Sequence, residues 1–144
     1  MAKAVLFYSL GGTTRKYCEG LAQSTGSDLI EVFEKKQRSK LSAFLPGCIQ
    51  AAGGKASEIV PPDADISQYD DIYIAGPIWG GNPAPAVNAI IGLLPAGRRV
   101  ILIVVSGRGG YTAQRAVNAI EARGCQVQGV VSPSTKEVLE MQKG

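Results

Sequence analysis

Apolar residues lie along this chain in short runs, and each run is followed by a turn rich in small residues. Five runs have the length of a β-strand, and they lie at 4–8, 29–33, 71–75, 100–105 and 127–131. The run at 100–105 is continuously apolar, which is typical of a strand buried on both faces of a parallel sheet. The run at 29–33 alternates with polar residues, which indicates a position nearer the edge.

Between these runs the apolar positions change to the i, i+3, i+4 spacing of a helix with one buried face. Helices are predicted at 14–24, 86–94 and 112–123, with a short closing helix at 136–142. The segment 39–65 is less regular, because Pro46-Gly47 interrupts an apolar helical face made by Leu41, Phe44, Leu45 and Ile49. Two short helical pieces, or a helix and a loop, are expected there.

Strands and helices alternate in an order typical of an open, doubly wound α/β domain with right-handed crossovers. The 144 residues suit a single domain spanning 1–144. Ligands of such sheets bind beyond the carboxyl ends of the strands, where the strand order reverses. Candidate site residues are therefore expected directly after the strands.

The first strand is followed by a segment suited to a phosphate group. It combines small residues, hydroxyl groups and the free N–H groups of a helix start, in the order Ser9, Leu10, Gly11, Gly12, Thr13 and Thr14. The alternative is that the Ser and Thr side chains only cap the helix, as such residues often do. The Walker A and Rossmann glycine patterns do not fit this segment.

Aromatic residues occupy the two later turns. After the third strand come Pro77, Ile78, Trp79, Gly80 and Gly81, which predict an exposed turn holding the only tryptophan of the chain. A lone Trp is usually part of the core, but at the end of a strand it is better explained as a stacking surface for a planar ligand. The turn after the fourth strand contains Ser106, Gly107, Arg108, Gly109 and Tyr111. Together the three turns describe a nucleotide with a flat ring system.

Composition narrows the chemistry further. The chain has no histidine, which excludes Ser-His-Asp and Cys-His triads and HExxH zinc sites, and no catalytic residue or metal site is predicted. Its three cysteines are far apart and no signal peptide precedes them, which favours a reduced, cytoplasmic protein. No apolar run reaches the roughly 18 residues of a membrane span. A net charge of +3, with no aromatic in the densest basic run, argues against nucleic acid.

At these turns the sequence resembles the flavodoxin family, and the similarity extends from Lys3 to Val131. Ser9 to Thr14 matches the family's phosphate-loop pattern, Ser/Thr-x-Thr-Gly-x-Thr, at the first, fourth and sixth places. Trp79-Gly80 matches the Trp-Gly pair of the second loop, and the third loop, Ser106 to Tyr111, is similar to a family pattern that ends in Tyr. Gly11 stands where the family prefers Thr, and Gly81 and Arg108 stand where its members place acids.

The resemblance implies a flavodoxin-like fold of the short-chain kind, with a five-stranded parallel sheet in the order 2-1-3-4-5. It implies FMN as the cofactor, with Trp79 and Tyr111 flanking the flavin ring and the peptide at Gly80 bonding its N5 atom. It also implies a monomeric electron carrier that serves a reductase and an acceptor protein of unknown identity. The open alternatives are an FMN-dependent NAD(P)H or quinone reductase of the same fold and a binding module without FMN.

Overall fold

The computed structural model of the protein describes residues 2–36 and 48–141. The helices and strands follow one another as β1 (Lys3–Phe7), α1 (Thr13–Thr25), β2 (Asp28–Glu31), α2 (Cys48–Ala52), β3 (Asp71–Trp79), β4 (Asn82–Pro83), α3 (Pro85–Ile91), β5 (Arg99–Val105), α4 (Gln114–Ala122), β6 (Gln126–Val131) and α5 (Thr135–Met141). A 3₁₀ turn at Ile66–Gln68 precedes β3.

Five parallel strands form the sheet in the order β2-β1-β3-β5-β6. This confirms the predicted doubly wound α/β fold and its strand order, since β5 and β6 are the fourth and fifth parallel strands. The sheet has a sixth strand that the sequence did not indicate, because the two-residue β4 pairs antiparallel with the end of β3. The strand order reverses beside β1, since the chain passes from β1 to β2 on one side and then to β3 on the other.

Helices cover both faces of this sheet because alternate side chains of its strands point to opposite faces. On one face α3 and α4 pack against the sheet in an apolar cluster that includes Leu6, Ile74, Leu102, Val87, Ile90 and Ile120. On the other face α1 and α5 pack in a second cluster, with Phe7, Ile103, Cys18, Ala22 and Val138. Most of these side chains are fully buried.

Strand β3 is longer than predicted. It continues through Gly76-Pro77 to Trp79, where a turn was expected, because β5 pairs with it as far as Pro77 and β4 pairs with its last two residues. Pro77 has no N–H to donate, but its carbonyl oxygen accepts from the Ala84 N–H at 2.9 Å. The Pro that favoured a turn therefore lies within a paired strand.

The other boundaries differ by a few residues. Helix α3 ends at Ile91 rather than at residue 94, and α4 begins at Gln114 rather than at residue 112. Of the irregular segment, α2 is one short helical piece, whereas Leu41, Phe44, Leu45 and Pro46-Gly47 lie outside the described residues. Within the described ranges, no helix has the length and apolar character that a membrane crossing requires.

Candidate functional site

A cavity of about 230 Å³ opens at the carboxyl edge of the sheet, beside the point where the strand order reverses. The turn after β1, the end of β3, the end of β5 and the start of α5 surround it. It is lined by Ser9, Leu10, Gly11, Thr13, Thr14, Pro77, Ile78, Trp79, Val105, Ser106, Gly107 and Thr135. This is where doubly wound α/β proteins bind ligands.

The turn between β1 and α1 presents the beginning of a helix to this cavity. Ser9 Oγ accepts a hydrogen bond from the Gly12 N–H at 3.0 Å, which closes the turn. Gly12 is the N-cap, with a left-handed φ of 95°, and no side chain caps the helix there. The Ser9 side chain thus bonds the N–H of the N-cap residue itself, and no Ser or Thr side chain stands at the N-cap position of α1. An uncapped helix start offers N–H groups and partial positive charge to an anion.

The turn after β5 repeats this construction. Ser106 Oγ accepts from the Gly109 N–H at 2.7 Å, with the same three-residue separation as in the first turn. The sequence signal is a Ser at the strand end followed by a Gly three places later, and it occurs at both turns. Gly109 also lies so close to the neighbouring chain that a Cβ there would be 2.9 Å from the Ser132 carbonyl oxygen. The second turn is therefore held against the segment that follows β6.

The contact of the turn after β5 with the segment that follows β6 determines where Tyr111 lies. Its N–H donates to Ser132 Oγ at 2.8 Å, and the Gly110 N–H donates to the Ser132 carbonyl oxygen at 3.0 Å. The ring packs against the apolar cluster under α3 and α4, and Tyr111 does not line the cavity. Among the described lining residues, Trp79 is the only aromatic.

Trp79 is the last residue of β3, directly before the turn to β4. Gly80 and Gly81 form this two-residue turn with φ values of 59° and 85°, which is the geometry of a type I′ hairpin and favours glycine at both positions. Trp79 is partly buried, and its ring forms an edge-to-face contact with the ring of Tyr8 at a centroid distance of 5.9 Å and an interplanar angle of 80°. The hairpin thus places one large ring at the cavity wall.

The cavity brings together part of the predicted site. The predicted residues that line it are Ser9, Leu10, Gly11, Thr13, Thr14, Pro77, Ile78, Trp79, Ser106 and Gly107. The predicted residues outside the lining are Gly12, Gly80, Gly81, Arg108, Gly109 and Tyr111. Of these, Gly12 and Gly109 shape the two Ser turns, Gly80 and Gly81 form the hairpin turn, and Arg108 is exposed beside Gly107.

Val105 and Thr135 line the cavity but were not predicted. Thr135 follows Ser134, which forms a reciprocal cap with Glu137, since each backbone N–H donates to the other residue's side chain. This Ser-x-x-Glu pattern marks the start of α5 and could have placed Thr135 at the site edge. The Thr135 N–H donates to the Ser106 carbonyl oxygen at 2.8 Å, which joins α5 to the turn after β5.

The lining residues contain no side chain that ionises near neutral pH. The nearest charged groups on α1 and β2 are tied together, since Arg15 Nε donates to Glu31 Oε1 at 2.9 Å, and this bond raises the pKa of Arg15. No cluster of three His, Cys, Asp or Glu side chains that could hold a metal occurs in residues 2–36 and 48–141. The arrangement is suited to binding an anionic, partly flat molecule rather than to acid–base chemistry.

Several solved structures resemble this one over almost its whole length. A flavoprotein from Lactobacillus acidophilus NCFM, crystallised in complex with FMN, has 22% sequence identity and a TM-score of 0.72, with 99% of each chain covered. A protein from Bacteroides uniformis ATCC 8492, provisionally described as a flavoprotein, has 18% identity and a TM-score of 0.76, with 99% of this chain and 98% of the other covered.

A flavodoxin from Streptococcus pneumonia TIGR4 has 10% identity and a TM-score of 0.54, and 99% of this chain and 96% of the other are covered. No protein-family model matches the chain, and no curated protein matches its sequence. At these identities the likeness concerns the course of the backbone. Together with the strand order β2-β1-β3-β5-β6, it shows that this protein has the flavodoxin-like fold.

Proposed function

We propose that this protein binds FMN in the cavity at the carboxyl edge of the sheet and carries electrons between redox partner proteins. The observation that carries the proposal is that the uncapped start of α1 and the ring of Trp79 line the same cavity. A phosphate fits the first and a flavin ring fits the second. The structural neighbour that was crystallised with FMN supports the same ligand.

The groups around the cavity match the two halves of FMN. Ser9, Thr13 and Thr14 bring hydroxyl groups to the helix start, where they can donate hydrogen bonds to phosphate oxygens. Leu10, Ile78 and Trp79 offer apolar surface to the ring. A Cβ built at Gly11 or at Gly107 would meet nothing within 4 Å, so the backbone there is open to close approach by a ligand.

The size of the cavity supports a partly exposed cofactor. About 230 Å³ is below the roughly 300–1,000 Å³ of pockets that enclose a small molecule. FMN seated here would therefore leave part of itself in solvent. An exposed ring edge is what electron exchange with another protein requires.

The absence of ionisable side chains from the lining supports a carrier rather than an enzyme with its own acid or base. FMN supplies the redox chemistry when bound, and the lining residues bind and orient it. Tyr8, Glu34 and Arg15 lie behind the lining or beside it. The protein itself then has to hold the ligand and to keep one edge of the flavin ring accessible.

The test is a titration of ligand-free protein with FMN and with riboflavin, which lacks the phosphate, followed by flavin fluorescence. We expect one FMN per chain and at least about tenfold weaker binding of riboflavin, because charge-assisted hydrogen bonds contribute roughly 1.5–3 kcal/mol. A Trp79→Ala variant should bind both FMN and riboflavin more weakly. Equal affinities for FMN and riboflavin would contradict the phosphate assignment, and no uptake of FMN would contradict the proposal.

A second candidate is an FMN-dependent NAD(P)H or quinone reductase. It is favoured by the position of Tyr111, which leaves Trp79 as the one aromatic lining residue and so leaves room for a second planar substrate. Rapid mixing of the FMN-loaded protein with NADH or NADPH separates the two candidates. A carrier is reduced slowly and without saturation, whereas fast, saturable reduction would establish the reductase.

A further inference from the structure

Glu34 is a buried carboxylate close to the candidate site. Only 6% of the residue is exposed, and acidic side chains are almost never this buried unless they are paired. Its partner is Tyr8, whose hydroxyl donates to Glu34 Oε1 at 2.7 Å. A buried carboxylate and a buried tyrosine therefore hold each other in a fixed geometry.

The backbone that carries Glu34 is fixed as well. Residues 33–35 run beside residues 58–60, with a bridge between Glu34 and Ile59. The Lys35 N–H donates to the Glu58 carbonyl oxygen at 3.0 Å, and the Val60 N–H donates to the Phe33 carbonyl oxygen at 2.8 Å. The carboxylate is thus presented to Tyr8 from a paired segment rather than from a free loop.

Tyr8 connects this anchor to the cavity. It directly precedes Ser9, its N–H donates to the Ala75 carbonyl oxygen at 3.0 Å, and only 5% of the residue is exposed. Its ring and the ring of Trp79 lie 5.9 Å apart between centroids, in an edge-to-face contact of the kind that aromatic pairs prefer. The order of contacts is therefore Glu34, Tyr8, Trp79 and then the cavity.

We propose that Tyr8 and Glu34 are positioning residues that set the orientation of Trp79 at the cavity wall. The hydrogen bond fixes the Tyr8 ring, and the contact between the two rings restricts the rotation of Trp79. An aromatic wall that is already oriented binds a flat ligand more tightly, because less side-chain freedom is lost on binding. The claim that Tyr8 and Glu34 orient Trp79 depends only on the contacts described above. The claim that this orientation affects affinity also rests on the proposed binding of FMN.

The chain offers a matched control at the opposite edge of the sheet. Tyr69 lies just before β3 and is 3% exposed, and its hydroxyl donates to Asp28 Oδ2 at 2.7 Å. It is a second tyrosine–carboxylate pair with the same bond length, far from the cavity in the topology. Tyr8→Phe and Tyr69→Phe each remove one tyrosine–carboxylate hydrogen bond, although Asp28 is exposed and Glu34 is buried. The unfolding free energy of both variants is therefore measured as well.

The experiment compares Tyr8→Phe, Glu34→Gln and Tyr69→Phe with the unchanged protein. Trp79 is the only tryptophan of the chain, so tryptophan emission and near-ultraviolet circular dichroism of ligand-free protein report on its orientation. We expect both signals to change in Tyr8→Phe and to stay in Tyr69→Phe. Glu34→Gln should keep most of the signal that Tyr8→Phe loses, because the amide oxygen still accepts from the Tyr8 hydroxyl.

FMN affinity is the second measurement. Loss of the Tyr8 hydroxyl should lower the affinity for FMN roughly three- to tenfold, which corresponds to the loss of one hydrogen bond, here the bond to Glu34. Tyr69→Phe should change the affinity less than about twofold. Unchanged tryptophan signals in Tyr8→Phe, or equal changes in Tyr69→Phe, would overturn the positioning role. Changed signals with unchanged FMN affinity would overturn its link to the ligand. If the unchanged protein takes up no FMN, the proposed function fails and the tryptophan signals alone decide the role of Tyr8 and Glu34.

Discussion

Gly76 lies inside β3, and its missing side chain lets α3 approach the sheet beneath the candidate site. A Cβ at this position would come within 2.2 Å of Val87 Cγ2, well inside contact distance. Gly76 directly precedes the predicted turn that begins at Pro77, but its role is to allow close packing of helix on strand. The distinction matters because a packing glycine affects stability, whereas a turn glycine affects ligand approach.

The first prediction concerns this contact. Gly76→Ala should lower the free energy of unfolding by about 1–3 kcal/mol, the usual cost of overpacking a core. The double variant Gly76→Ala with Val87→Ala should recover part of that loss relative to the sum of the single variants, because Val87 Cγ2 is the atom in the way. Denaturant unfolding of the unchanged protein, the two single variants and the double variant measures these free energies. If the losses in the two single variants add up to the loss in the double variant, the contact between residue 76 and Val87 is contradicted.

The second prediction concerns Arg108, an exposed cation beside the lining residue Gly107. Reduction adds negative charge to FMN, so a nearby cation favours the reduced form. Arg108→Gln should lower the reduction potential of bound FMN and Arg108→Glu should lower it about twice as much, to a total of roughly 10–40 mV for an exposed group. Added salt should shrink both shifts. Potentiometric titration in which the two variants shift equally, or not at all, would show that Arg108 does not act on the cofactor by its charge.

Helix α1 faces the sheet through Cys18 and Ala22, and the burial of Cys18 has a consequence at alkaline pH. Desolvation raises the pKa of the Cys18 thiol from its ordinary value of 9.0 to about 12. In the unfolded chain the thiol ionises above pH 9, while in the folded protein it stays protonated. The contribution of this group to stability is therefore complete below pH 9 and is lost as the pH rises toward 12.

The third prediction follows from this difference. Between about pH 9 and 12, the free energy of unfolding should fall more steeply for the unchanged protein than for Cys18→Ala, by about 1.4 kcal/mol per pH unit. Tyr69, whose pKa is raised to about 12 mainly by its hydrogen bond to Asp28, is present in both proteins and cancels in the comparison. Parallel stability curves would show that the Cys18 thiol ionises alike in both states.

The elements show where sequence reasoning succeeds and where it stops. The five parallel strands and the helices α1, α3, α4 and α5 follow from apolar periodicity, because one buried face is a local property of a segment. The end of β3 does not follow, since Gly76-Pro77 resembles a turn. Pairing with β5 continues the strand to Pro77, and pairing with β4 continues it to Trp79. The end of a strand depends on its neighbour, which local sequence does not specify.

At the scale of the whole molecule, the chain carries a net charge of +3. Exposed cations lie on segments that flank the carboxyl edge, among them Lys35, Arg108 and Lys136. Exposed cations near the site would attract anions and raise their rate of encounter, and salt would screen this attraction.

The fourth prediction uses small oxidants in place of an unknown partner. When photoreduced, FMN-loaded protein is mixed with ferricyanide, an anion, the rate of oxidation should fall as ionic strength rises. With a cationic cobalt(III) complex the rate should rise instead. Stopped-flow absorbance measures both series, and equal salt dependence for the two oxidants would contradict a positive surface at the site.

The sequence by itself determined the α/β class, the number of parallel strands and the edge of the sheet where the ligand turns meet. Each of these depends on periodicity and on the residues that follow a strand, which are local properties. Only the tertiary structure decided which residues face the cavity. Ser132 holds Tyr111 away from it, and α5 brings Thr135 into it. These positions depend on hydrogen bonds and packing between segments far apart in the chain, so a local pattern does not encode them.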